Sequence, residues 1–196
     1  GALHREYPPA VLRAAITALI DFVGVAVGAV DEAPVAPVRK VAQAWNARGG
    51  ARIFLGPLTT PALAALVNGT MAHALDFDNT WYPLNHPTSP TLPAILAIAE
   101  HHQLGGKKII ESLVAAFEVQ GRLRMAATGL ETGSGFHKPG TTGQFGAVTA
   151  ASRMLDLTRE QMLMAFGIAG SRAGSISINT GSMTKSSHSG HAARMG

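Results

Sequence analysis

From Pro9 onward, Val11, Leu12, Ala15, Ile16, Leu19, Ile20 and Val23 recur at intervals of three and four residues, the spacing of one helix face. Pro8 and Pro9 mark the start, where a missing backbone N–H costs a helix nothing. The same period returns along the chain, while alternating strand patterns are scarce. Pro34 to Arg48 reads as a second helix ended by Gly49 and Gly50, and Arg52 to Leu55 as a short extended piece. Thr60 then offers an N-cap with Pro61 at the first helical position, and Leu63, Leu66, Val67, Met71 and Ala74 form a stripe leading into Asp76. Further helices are expected over Thr91 to His102, Lys107 to Gly129, Gly143 to Leu155, and from a Thr158/Gln161 capping box to Ala169. No period of 20 to 50 residues recurs, so a solenoid is not expected. The expected fold class is all-α, one domain over residues 1–196. His188 to Arg194 look like the opening of another helix that meets Gly196 before it can bury a face, the pattern of a chain cut from a longer one.

Val11 to Val30 is nearly apolar enough for a membrane span, but Arg13 and Asp21 interrupt it and no Ala-x-Ala cleavage pattern follows. A buried amphipathic helix and no membrane association are expected. With no cysteine in 196 residues, disulfides, thiolate metal sites and thiol nucleophiles are excluded, and a cytoplasmic setting fits. The net charge of +4 comes from scattered Lys and Arg among only 6% aromatics, which argues against nucleic acid. From Thr132 onward the only carboxylates are Asp156 and Glu160, against Lys138, Arg153, Arg159, Arg172, Lys185 and Arg194. Such a positive field suits a small polyanionic substrate.

Three segments concentrate groups that bind anions or move protons. In HALDFDNTWYPLNHPTS, Asp76 and Thr80 share a face if the preceding helix persists; Asp78 then points elsewhere, and Pro83 and Pro87 turn His86 back toward Asp76. A helix C-terminus with capping Asp and Asn and a solvated His86 explains the same residues. His73, Asp76, Asp78 and His86 also form an N/O ligand set, but without a recognised metal spacing, and no metal is expected. In GFHKPGTTGQFG, His137, Lys138 and Thr141 stand at a helix N-terminus, where free N–H groups and partial positive charge attract a carboxylate. A capped loop with an exposed histidine is the alternative. In TKSSHSGH, Lys185 and His188 meet on one helical turn, as an anion pocket or as a solvated polar turn.

Taken in order, NGTMAHALDFDNTW with HPTSPTLPAILAIAE, EVQGRL, GFHKPGTTGQFGAVTAASRMLDL, and GS followed by TKSSHSGHAARMG resemble the MmgE/PrpD family, which includes 2-methylcitrate dehydratase, cis-aconitate decarboxylase and iminodisuccinate epimerase. The resemblance covers essentially the whole chain. It implies a large helical domain, an α+β lid domain following it that this chain lacks, a homodimer, and catalysis without metal or organic cofactor. It implies Asp76, Thr80, His86, His137 and Lys185 as active-site residues and His188 as the histidine of the family's Lys-x-x-His motif, while the chemistry of the residues themselves makes Lys185, His188, Lys138 and Thr141 the groups expected to hold a small polycarboxylate. The decarboxylases draw a further active-site histidine from beyond this chain's end. The compact TWYPLNHPTS, with Thr80 and His86 six positions apart, resembles the decarboxylase branch, whereas Lys138 departs from the small or hydrophobic residue the family carries there. The expected function is a lyase acting on a small di- or tricarboxylate. Alternatives are an iminodisuccinate-type epimerase or a non-catalytic helical dimerisation fragment.

Overall fold

The computed structural model describes residues 6–82, 84–127 and 135–196. Among these, eight α-helices, a short 3-10 helix at Ser177–Asn179 and one two-stranded hairpin account for the regular structure. The helices are α1 (Pro9–Gly28), α2 (Val35–Trp45), α3 (Pro61–Ala72), α4 (Leu92–His102), α5 (Gly106–Ala126), α6 (Lys138–Met154), α7 (Arg159–Arg172) and α8 (Thr184–Met195). Strands β1 (Ala51–Arg52) and β2 (Leu58–Thr59) pair antiparallel, Ala51 opposite Thr59. The chain is all-α, as its periodicity predicts.

The centre is α3. Every residue from Leu63 to Ala72 is buried, which requires neighbours on all sides, and α1, α2, α4 and α8 supply them. Phe22, Leu63, Met71, Leu92, Ile95, Leu113 and Met154 are the large side chains of the core. Small residues set the distances between helices. Gly69 and Gly190 meet where α3 crosses α8, so that a methyl added at Gly69 would lie 2.7 Å from the Gly190 Cα. A methyl at Gly190 would run into the Leu66 carbonyl and the Thr70 hydroxyl. Close by, Ser89 and Ser189 hydroxyls share a hydrogen bond of 3.1 Å. Gly190→Ala therefore pushes α8 off α3 at an expected cost of about 1–3 kcal/mol, read as a lowered thermal midpoint. An unchanged midpoint would show that the crossing tolerates a side chain.

Several expected boundaries move. The chain leaves the helix at α3's end earlier than its apolar stripe suggests: His73 is the C-cap, and Asp76 adopts φ +58°, a left-handed conformation open to Asp through local hydrogen bonding. Asp76 and Thr80 thus do not share a helix face. The second helix stops at Trp45, because Asn46 (φ +45°) reverses the backbone before the glycines. Helix α6 begins at Lys138, five residues before Gly143, and α8, expected to stop before it could bury a face, begins at Thr184 and buries Ser186, His188, Ser189, Gly190, Ala192 and Ala193. The expected end of α5 at Gly129, and Pro83, lie outside the described residues. The Thr158/Gln161 capping box is formed, with Gln161 N–H donating to the Thr158 hydroxyl at 3.2 Å and Thr158 N–H to Gln161 Oε1 at 2.8 Å.

Helix α1 is amphipathic but less covered than expected. Ala15, Ala18, Phe22 and Ala26 face the core, while Ile16, Ile20, Val23 and Val27 are exposed. Its length and apolarity are sufficient to cross a membrane, although Phe22 meets Phe54 edge-on within the protein, ring centres 6.0 Å apart. An apolar cavity of about 910 Å³ lies between α1, α5 and the Asn79–Trp81 turn; none of the predicted site residues lines it.

Candidate active site

Helix α3 delivers its C-cap, His73, to the middle of a polar cluster. The left-handed Asp76 then folds the chain back so that Asp78 lies under His73, whose Nδ1 donates to Asp78 Oδ1 and Oδ2 at 3.0 and 3.2 Å. The following loop returns His86 to the same carboxylate. Its Nδ1 sits 3.3 Å from Asp78 Oδ1 and 3.1 Å from the Asp78 carbonyl oxygen, which fixes that nitrogen as the donor. His86 Nε2 is thereby left facing Asp76, 3.5 Å away. The two imidazoles meet edge to face at 4.9 Å.

Helix α8 reaches the cluster through the Gly69/Gly190 crossing. Lys185, in its first turn, donates to Asp76 Oδ1 at 2.6 Å, and His188, one turn later, is 7% exposed. The start of α6 adds His137, the N-cap, which is held by its N–H to the Ser175 carbonyl at 2.8 Å. His137 and His188 approach Nδ1 to Nδ1 at 3.0 Å, and the His137 ring lies 5.6 Å from that of His73. Segments 73–86, 137 and 185–188 therefore share one site.

Thr80 and the other two predicted side chains stand differently. Thr80 is exposed, and no hydrogen bond joins it to the cluster among the described residues. Thr141 uses its hydroxyl on the His137 and Gly174 carbonyls, at 3.0 and 2.6 Å, so it braces the His137 turn. Lys138 opens α6 half-buried, without an ion pair among the described residues. The residue that spacing misplaced is Asp78: it is buried between two imidazoles rather than directed elsewhere, because the helix that would have turned it away stops at Ala72. The combination of His73 and Asp78 five positions apart was the available signal.

The electrostatics separate the imidazoles. Burial disfavours a charged His86, but the Asp78 hydrogen bond and the Asp78 and Asp76 charges outweigh it and raise its pKa above 6.5. His137 goes the other way: burial, then the neighbouring His73, His188, Lys185 and His86, lower it to about 3. His188 is lowered likewise, by burial and by His73, His191 and Lys185. For the carboxylates, burial pushes upward and loses: Lys185 above all holds Asp76 below its usual range, and His73 and His86 hold Asp78 far below it. A cluster with a readily protonated imidazole beside a neutral one, a fixed ammonium and an uncapped helix N-terminus has the parts to hold carboxylates and exchange protons.

One ligand atom from each of His73, Asp76, Asp78 and His86 lies within 4.8 Å of the others, close enough to converge on a metal ion. Lys185 weighs against that use. Its ammonium, 2.6 Å from Asp76, stands where a cation bound by that carboxylate would sit, and two positive centres cannot share the position. The side chain of Asp76 is 53% exposed, so the cluster opens to solvent rather than enclosing a cavity.

Comparison with known proteins gives the family. Cis-aconitate decarboxylase of Homo sapiens is 37% identical over 141 residues, covering 69% of this chain and 29% of that protein. The Mus musculus cis-aconitate decarboxylase is 36% identical over the same shares, and that of Aspergillus terreus 30% identical over 158 residues, 76% of this chain and 32% of the relative. The chain thus spans about three-tenths of the length of the relatives it matches. A family described as the MmgE/PrpD N-terminal domain matches residues 2–196, essentially the whole sequence, and the chain belongs to that family.

Proposed function

We propose that this chain carries the carboxylate-binding and proton-transfer groups of a cofactor-independent lyase for a small di- or tricarboxylate, with decarboxylation of cis-aconitate as the leading reaction. The observation that carries this reading is the Lys185 ammonium, 2.6 Å from Asp76, within a cluster where the surroundings raise the pKa of His86 and lower that of His137. The names of the relatives support the choice of reaction.

In this reading Lys185, Lys138 and the N–H groups opening α6 receive substrate carboxylates. The bond to the departing carboxylate breaks, CO₂ leaves, and the electron pair passes into the conjugated system formed by the double bond and a neighbouring carboxylate. Fixed cations stabilise that charge as it develops. Protonated His86 then delivers one proton to carbon, oriented through Asp78 and Asp76. Dehydration of 2-methylcitrate would use the same parts, with His137 as base toward C–H and His86 as acid toward the leaving hydroxyl, and an iminodisuccinate-type epimerisation would need only the proton exchange. Thr80, exposed on the loop between Asp76 and His86, is assigned to substrate in this reading rather than to the cluster. A homodimer in a cytoplasmic setting, with neither metal, organic cofactor, nucleic acid nor membrane as partner, completes the proposal.

The protein from its complete reading frame tests it, by following loss of cis-aconitate and 2-methylcitrate together with release of CO₂ or water. Turnover of one polycarboxylate is expected. Because Asp78 and Asp76 raise His86 above its ordinary 6.5, activity should fall on the alkaline side as His86 loses its proton. A folded protein without turnover on any such acid would overturn the reading. The exposure of Asp76 favours a second reading, in which these residues alone form a helical dimerisation unit and turn nothing over.

A further inference from the structure

His137 and His188 come from different helices, yet their Nδ1 atoms are 3.0 Å apart and their ring centres 5.0 Å apart at 51°. Two nitrogens at that distance need one proton between them: two bare lone pairs repel, and so do two N–H groups. The fold builds this approach deliberately close. Gly140, in the first turn of α6, has no room for a side chain, since a methyl there would strike Ser175 and lie 3.2 Å from the His188 Cβ. Ser175 itself stands at φ +77° and accepts the His137 N–H, so the turn at 174–175, the start of α6 and α8 are locked around the pair.

We propose that His188 is the positioning residue for His137: the Nδ1-to-Nδ1 hydrogen bond ties the two rings into complementary tautomers, so that the pair presents one Nε2–H and one bare Nε2. The ring that donates through Nδ1 has its lone pair on Nε2; the ring that accepts at Nδ1 carries its proton on Nε2. Neither ring needs a charge. Exchanging acid and base within the pair takes a relay: as the shared proton passes from one Nδ1 to the other, the ring that receives it gives up its Nε2–H and the other ring takes a proton at its Nε2, so both rings stay neutral and the total proton count is unchanged. This assigns His188 to His137 rather than to substrate, and it deepens the lyase reading, on which its kinetic consequences rest.

The neighbours explain why the pair stays neutral. His73 from the end of α3, His86 from the loop, and Lys185 and His191 from α8 surround it, and with burial they oppose a second proton on either ring. Removing His188 relieves part of that opposition and admits water to His137. The acid limb of kcat/KM should therefore move to higher pH, an effect that loss of packing alone would not produce.

The test has a spectroscopic and a kinetic arm. In protein with ¹⁵N-labelled histidine, the pair should give one protonated and one bare Nδ1, coupled across the hydrogen bond, with no substrate present. In His188→Ala, kcat should fall roughly 10- to 100-fold with little change in KM, by analogy with partners that orient other functional histidines. The acid limb should move up in pH, and His188→Asn, whose amide oxygen can still accept from His137 Nδ1–H, should restore most of kcat. Independent, uncoupled tautomers, or a His188→Ala enzyme with wild-type kcat and an unmoved acid limb, would overturn the assignment. A coupled pair in a protein that turns over no polycarboxylate would keep the pair and instead defeat the lyase reading.

Discussion

Lys185→Ala should lower kcat/KM for the polycarboxylate substrate by about 10²–10³-fold, the usual loss when one fixed stabiliser of developing negative charge is removed. Two effects combine. The ammonium that receives a substrate carboxylate disappears, and Asp76, whose partner it is at 2.6 Å, is left facing the incoming anion without a counter-charge. KM should rise and kcat should fall together, because the interaction is present in the bound substrate and strengthens as charge builds. Without Lys185, Asp76 also loses the main influence holding its pKa down against burial, so its carboxyl titrates at higher pH than in the parent. Lys185→Arg should recover only part of the rate, since a planar fork does not reproduce a compact ammonium in a site half-buried against α3. Initial rates across substrate concentration and pH decide the matter; unaltered kinetics in Lys185→Ala would remove the lysine from the mechanism.

Asp78→Asn should be the most damaging substitution for stability. Asp78 is 2% exposed, accepts hydrogen bonds from His73 and pairs with His86, and breaking a buried charged pair typically costs about 3–5 kcal/mol. For a chain of this size that corresponds to a fall in the thermal midpoint on the order of 10 °C. The effect should depend on pH. Asp78 is depressed from 3.8 on folding, so its contribution is complete above that value and is lost as pH falls below it. His86 is raised from 6.5 on folding, so its contribution is complete below 6.5 and lost as pH rises through the folded value. The two overlap between those limits. The gap between parent and variant should be widest at about pH 5.5 and narrower at about pH 8.5, measured by thermal denaturation. A gap that is constant across that range would mean that Asp78 acts by shape and not by charge.

Much of this was legible in the residues. Prolines at the first turns of α1 and α3 and the Thr158/Gln161 capping box of α7 marked helix starts, and the small-residue character of α6 anticipated its close packing. What the sequence hid was backbone reversal. Nothing in ALDFD announces that Asp76 will adopt a left-handed conformation; the apolar stripe runs on through Ala74, and a helix continued on that stripe would put Asp76 beside Thr80 and send Asp78 away. The reversal does the opposite, burying Asp78 and giving Asp76 to Lys185. The His137–His188 contact was hidden for another reason: it depends on the space at Gly140 and on the crossing at Gly69 and Gly190, which are properties of helix pairs rather than of any one segment. The meeting of the 73–86, 137 and 185–188 segments was expected from their chemistry and from family resemblance, but its form, an open cluster with Asp76 at the surface, was not.

The most direct test of the central claim is a titration of the complete protein with cis-aconitate, following histidine ring signals by NMR with the Lys185→Ala protein as control. If His86, His137 and His188 belong to one carboxylate-binding site, their signals shift together along a single binding curve, and that curve weakens in the control. Signals that respond separately, or not at all while the acid is being consumed, would contradict a shared site.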